Sequence, residues 1–213
     1  MLPSLEPALH DPERIPFIRK QLAFLADHGL DSGGTLVIQC RPVESTAIDP
    51  MGARMDNTLL QGVSQRTEGA WWDGFGGGTR KPTFDGHATV DRSGEKSWVV
   101  EVQDDGHILA AIRAVAYIGA PGMHLTVLAV FPEFALFAGA IRAAAGITGA
   151  SKLTATLVNA KGLKLVGSGS HGGARLSTVN RELLEWPVVT AANEQEIVQA
   201  CDQMRIRLKR IFP

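Results

Sequence analysis

Cysteine is scarce: the 213 residues hold two, Cys40 and Cys201, far apart and neither in a C-x-x-C pair. A zinc ribbon and a thioredoxin-like redox centre are therefore unsupported, and a reducing, cytoplasmic compartment is the expectation. An excess of charge of one sign is missing as well. Lys and Arg number 21 against 22 Asp and Glu, which gives no argument for wholesale nucleic-acid or membrane binding. No run of about 18 apolar residues occurs, so no membrane-spanning helix is expected. The opening MLPSLEPALHDPER has no basic segment leading into an apolar one and does not read as a secretory signal. The six histidines, His10, His28, His87, His107, His124 and His171, show no H-E-x-x-H or H-x-E…C-x-x-C spacing, and no G-x-S-x-G elbow marks a nucleophile. Internal repeats and low-complexity tracts are absent.

What is present is the balance of an ordinary globular protein, 45% hydrophobic and 20% charged. At this length folding buries roughly 70% of the unfolded surface, enough for a core without disulfides. HDPERIPFIRKQLAFLADHG places Ile15, Ile18, Leu22 and Leu25 at helical spacing, with Phe17 and Phe24 flanking, Pro16 near the start and Gly29 as the stop. TLVIQC (35–40) reads as a strand. KSWVVEVQDDGHILAAIRAVAY reads as a hairpin on a two-residue Asp105-Gly106 turn, which sets Val102 opposite Leu109 and Trp98 opposite Arg113. One face then holds Trp98, Val100, Val102, Leu109 and Ala111; the mixed companion face is expected to be only partly covered. HLTVLAVF (124–131) reads as a strand and PEFALFAGAIRAAAG as a helix opened by Pro132. KLTATLV (152–158) and LKLVG read as a second hairpin through NAKG. The last segment carries Ile197, Cys201, Met204, Leu208 and Ile211 on one stripe, with Asn193 and Glu196 at capping-box spacing. Basic residues at its end, Arg205, Arg207, Lys209 and Arg210, complement the helix dipole and need no partner.

Three segments, WVVEVQDDGHI, AAAGITGASKLTATLVNAKGLKLV and LEWPVV, together make the region from about 96 to 187 resemble the C-terminal domain of bacterial Schlafen-like, AlbA-type proteins, putative binders of ATP or nucleic acid. The resemblance implies a related fold and an accessory role. It carries over no catalytic residue, because the binding chemistry of that family is attributed to an N-terminal domain that this sequence does not show.

From Ser64 to Gly86 no periodic segment appears, which suggests a functional loop, a lid or a seam over 64–95 in an otherwise single domain. Within it, Trp71 and Trp72 offer stacking surfaces, Arg80 and Lys81 offer anion partners, and the glycines of 74–78 let a backbone approach a ligand. GFGGGTRK does not fit a phosphate-binding loop. Adjacent tryptophans on an extended segment point to opposite sides, so the favoured reading is an ordered loop pinned by at least one of them. Asp85, His87 and Asp91 would share one side of a strand, as a metal or an acid-base pair requires, although exposed polar alternation explains them equally well. Gly167, Gly169 and Gly172 match G-x-G-x-x-G, but no helix follows directly and no acidic residue closes a later parallel strand, so a flexible loop is favoured over a dinucleotide site.

The expectation is thus an α+β fold with a mainly antiparallel sheet and helices at 14–28, 133–146 and 193–212. The expected function is a non-enzymatic regulatory or ligand-sensing module, linked to nucleotides or nucleic acid, with Trp71, Trp72, Arg80, Lys81, Asp85 and His87 as ligand-binding residues and a small phosphorylated ligand as partner. One alternative is an enzyme acting on a phosphate-bearing substrate beneath a 71–87 lid. The other is a module in which the exposed hairpin face or the two-tryptophan loop docks a protein or a second copy.

Overall fold

The computed structural model describes residues 11–52, 75, 78–91, 98–113, 116–117, 120–121, 123–124, 126–163, 165–166 and 178–211. The fold is α+β. An antiparallel sheet of eight strands forms from β1 (Thr35–Pro42), β2 (Thr79–Pro82), β3 (Gly86–Val90), β4 (Trp98–Gln103), β5 (Ile108–Arg113), β9 (Ser151–Val158), β11 (Leu183–Glu185) and β12 (Val189–Ala191). Its order is β11-β9-β1-β5-β4-β3-β2, and β12 also pairs with β9. The short pieces β6 (Ala116–Tyr117) and β7 (Ala120–Pro121) pair with each other, as do β8 (Met123–His124) and β10 (Leu165–Val166).

Helix α1 (Ile15–Asp27) covers one face of the sheet, and α2 (Thr126–Ala145) and α3 (Glu194–Ile211) cover the other. The alternation of β1 shows why both faces are buried. Leu36, Ile38 and Cys40 pack with α2 and α3, whereas Val37 packs with Phe24 and Leu25 of α1. The expected ends of α1 and α3 hold closely. Gly29, at φ +63°, follows α1. A reciprocal cap opens α3: Asn193 Oδ1 accepts from the Glu196 amide at 3.0 Å, and Glu196 Oε2 reaches one residue past the N-cap to accept from the Ala192 amide at 2.8 Å. Ile197, Cys201, Met204 and Leu208 are all buried, as the stripe requires.

Four expectations are corrected. The first hairpin turns on three residues, Asp104 to Gly106: the Gly106 amide donates to Gln103 O at 2.9 Å, the Gln103 amide donates to His107 O at 2.9 Å, and Gly106 takes φ +79°. That extra residue slips the register by one, so Val102 faces Ile108 and Trp98 faces Ile112. The α2/α3 side therefore receives Ile108, Ala110 and Ile112, and Leu109 and Ala111 turn to α1. Second, residues 126–131 open α2, which runs through Pro132 as an interior residue instead of starting at it. An apolar run wedged between a sheet and a second helix has no alternation to distinguish it from a strand. Third, the NAKG turn forms, with Leu163 N–H donating to Ala160 O at 3.0 Å, but β9 pairs with β1 on one side and with β11 and β12 on the other, so no second hairpin forms. Fourth, the buried stripe of α1 is Phe17, Ile18, Gln21, Phe24 and Leu25, with a glutamine where an aliphatic face was expected.

Candidate functional site

That glutamine belongs to a polar layer between α1 and the sheet. Pairing across the strands puts Glu101 beside Leu109, and Leu109 beside Gln39, on the α1 side. Gln39 Nε2 donates to Gln21 Oε1 at 3.1 Å, Gln103 Nε2 donates to Glu101 Oε1 at 2.7 Å, and His28 Nε2 lies 2.9 Å from Glu101 Oε2. All of these side chains are nearly inaccessible. Burying such groups is tolerable only when each finds a partner, and most here do.

His107 does not. It is fully buried, and among the described residues neither ring nitrogen has a hydrogen-bond partner. Its position is nonetheless well held: its amide donates to Asp105 Oδ1 at 3.0 Å, and its ring meets Phe17 edge-on, 5.6 Å between centroids. It lines a cavity of about 230 Å³ together with Pro16, Arg19, Lys20, Arg41 and Asp105. The first turns of α1 supply Arg19 and Lys20, the end of β1 supplies Arg41, and the β4–β5 turn supplies Asp105 and His107. Desolvation is the main reason that the imidazole is pushed down to about 3, reinforced by Arg41 and Lys20 and opposed by Asp105. At neutral pH His107 is therefore an uncharged imidazole, with one N–H and one bare nitrogen, beside three cations and one carboxylate.

Two other concavities lie apart from it. At the far end of α1, a cavity of about 360 Å³ is bordered by His28, Lys81, Asp91 and Arg113. There Lys81 Nζ donates to Asp27 O at 3.3 Å and Arg113 Nη2 to Gly29 O at 2.6 Å, so both cations satisfy carbonyls at the helix C-terminus. A larger one, about 710 Å³, lies along β11 and is bordered by Arg14, Arg181 and Arg207. Arg14 pairs with Glu185 at 2.7 Å.

Among the described residues, those singled out from sequence are not brought together. Trp71 and Trp72 lie outside the described residues, as does the 167–173 glycine run. Phe75 is the described anchor of the glycine-rich stretch, 1% exposed and edge-on to Trp98 and Phe137. Residues 79–86, the end of the stretch read as aperiodic, form the β2–β3 hairpin together with 87–90. Lys81 aligns with Ala88 on the α1 side, whereas Arg80 aligns with Thr89, and His87 with Val102, on the α2/α3 side. Asp85 and Asp91 fall outside β3, so the triad Asp85, His87 and Asp91 does not share a strand face. Asp85 comes nearest to the His107 cavity, because its carboxylate holds Lys20 Nζ at 3.0 Å on the rim. The first hairpin also has no exposed face for a partner, since β4 is buried throughout and β5 almost so.

Arg19, Lys20, Arg41, Asp105 and His107 were not singled out as a site. The available signal was Gln21 on the apolar stripe of α1, together with Glu101, Gln103 and His107 at alternating positions of one hairpin. Polar residues in such places mark either a solvated face or a buried polar layer, and only the position of α1 distinguishes the two. No protein family, characterised protein or solved structure matches the chain.

Proposed function

We propose that this chain is a non-enzymatic ligand-sensing module whose ligand is a small phosphate-bearing anion bound in the cavity at His107. The observation that carries the reading is the meeting of Arg19, Lys20 and Arg41 around one cavity. Cations gathered in this way supply the charge that an oxyanion needs. A volume of about 230 Å³ is below the roughly 300–1,000 Å³ of pockets that enclose drug-sized ligands, which favours a phosphate group or small phosphorylated metabolite over a whole nucleotide. A sensing role is favoured over catalysis because, among the described residues, no carboxylate orients the His107 ring and no hydroxyl or thiol lines the cavity. The accessory role implied by the Schlafen-like resemblance belongs to the same proposal.

Thermal unfolding in buffered inorganic phosphate tests it. At a hundredfold excess over Kd, binding adds about 2.7 kcal/mol, or a rise in Tm on the order of 5–10 °C for a chain of this size. Arg41→Gln should abolish most of that rise. An unchanged Tm in every oxyanion tried rejects the reading, and turnover of a phosphomonoester that is lost in Arg41→Gln replaces it with the enzyme alternative. A docking role has one supporting observation, Phe84, 99% exposed at the tip of the β2–β3 turn. That reading requires Phe84→Ser to dissolve a concentration-dependent oligomer or complex.

A further inference from the structure

We propose that the outer edge of β11 is a docking site for an extended acidic peptide of a partner protein, which adds to the sheet as a further strand. The site shares no lining residue with the His107 cavity. Three observations meet there. The first is an unpaired strand edge. β11 ends the sheet order, with β9 on its inner side. Its register sets Leu184 opposite Leu157, and the Trp186 amide donates to Ala155 O at 3.0 Å, so positions 184 and 186 turn their main-chain groups to β9. By the alternation of an antiparallel ladder, the amides and carbonyls of Leu183 and Glu185 point the other way, where no described strand meets them.

The second is space. A cavity of about 710 Å³ runs along this edge from Thr178 to Pro187, with Arg14, just before α1, on one face of the sheet and Arg207 of α3 on the other. The side chains of an incoming strand alternate between those two faces. The third is charge. Arg181 and Arg207 are exposed, and among the described residues neither has an acidic partner. The nearby carboxylates are engaged elsewhere: Glu185 with Arg14 at 2.7 Å, Glu182 with Lys161 at 3.8 Å, and Asp202 with Arg205. On the α1 face Glu185 neutralises Arg14, and Asp11 adds a negative charge. The fitting peptide therefore carries a carboxylate at every second position, on the α3 face, and uncharged side chains between. A second copy of this chain fits less well, because a two-fold axis at this edge sets Arg181 and Arg207 near their own counterparts.

The test is fluorescence anisotropy of the whole protein with a labelled, end-capped hexapeptide of alternating glutamate and valine. The peptide should bind saturably, and exchanging its glutamates for lysines should weaken binding at least about fivefold. Two further versions are N-methylated, one on the glutamate amides and one on the valine amides. Only one set faces β11, so one version should lose at least about tenfold and the other should bind as the parent does. Arg181→Gln and Arg207→Gln should each weaken binding about threefold, and both positions are exposed, so the fold is retained. Equal binding of the two methylated versions, or of the lysine peptide and its parent, overturns the proposal. Binding of glutarate without the peptide assigns the cavity to a small anion and overturns it too. So does a chain that sediments as a dimer and binds no peptide, which assigns the edge to a second copy.

Discussion

On the α2/α3 side of the sheet, Leu36, Ile38, Val100, Ile108 and Leu157 meet Phe131, Phe134, Ile141 and Leu208 in one apolar cluster. On the α1 side the same strands present Gln39, Glu101, Gln103 and His107 to Gln21, His28 and Phe17. Both sides are buried, but for different reasons. The α2/α3 side gains from apolar area, which is non-directional and tolerates small errors of position. The α1 side depends on pairs that must meet at hydrogen-bonding distance.

The contrast can be broken from either side. Phe134→Ala should have the largest effect, a loss of about 3–5 kcal/mol in denaturant unfolding, because it opens a void in the dry cluster. His28→Ala should cost about 3 kcal/mol by leaving the Glu101 carboxylate buried without its partner. Replacing both by leucine should recover most of that loss; if the double variant is as unstable as the single one, the α1 side is held by area after all.

The two sides should also respond to pH in opposite directions. His107 is lowered from 6.5 to about 3 in the folded protein, so the unfolded chain takes up its proton first and stability falls as pH drops from about 6.5 towards 3. Glu133 of α2 is raised by burial from 4.5 to about 7, and its Oε2 has no partner among the described residues. The unfolded chain releases that proton first, so its penalty is absent below about pH 4.5 and complete above about pH 7. Glu133→Gln should then stabilise the protein above pH 7, on the order of 2 kcal/mol, and leave it unchanged at pH 4. His107→Phe should flatten the acid limb alone. Both follow from unfolding curves across pH, and a parallel shift of the two variants would refute the separation. The smallest effect is in the amide pair. Gln39→Leu should cost about 1 kcal/mol, and adding Gln21→Leu should return stability to near its starting value.

The sequence reading of the fold succeeded where one local chemistry decides the outcome. The α3 capping box needs only Asn193 and Glu196 at the right spacing, and the end of α1 needs only Gly29. It failed where two arrangements share one pattern. Asp105-Gly106 serves a two-residue or a three-residue turn, and the residue in dispute sends Leu109 to one side of the sheet or the other. The run 124–131 is apolar enough for a strand or a helix; residues 126–131 are helical, and Leu128, Val130 and Phe131 join the cluster between the sheet and α3.

The site was legible only in fragments. His107, Asp105 and Gln21 each had a local explanation, as a scattered histidine, a turn residue and one polar position on a helix. Their juxtaposition arises when α1 lies across the strands, which brings residues about 80 to 90 positions apart into one cavity. Spacing within short segments was sufficient for caps, stops, helix faces and the α+β class, because those are set by interactions between near neighbours. Register, the burial of the second hairpin face and the collection of three cations around one uncharged imidazole depend on contacts between distant segments, and packing settled each of them.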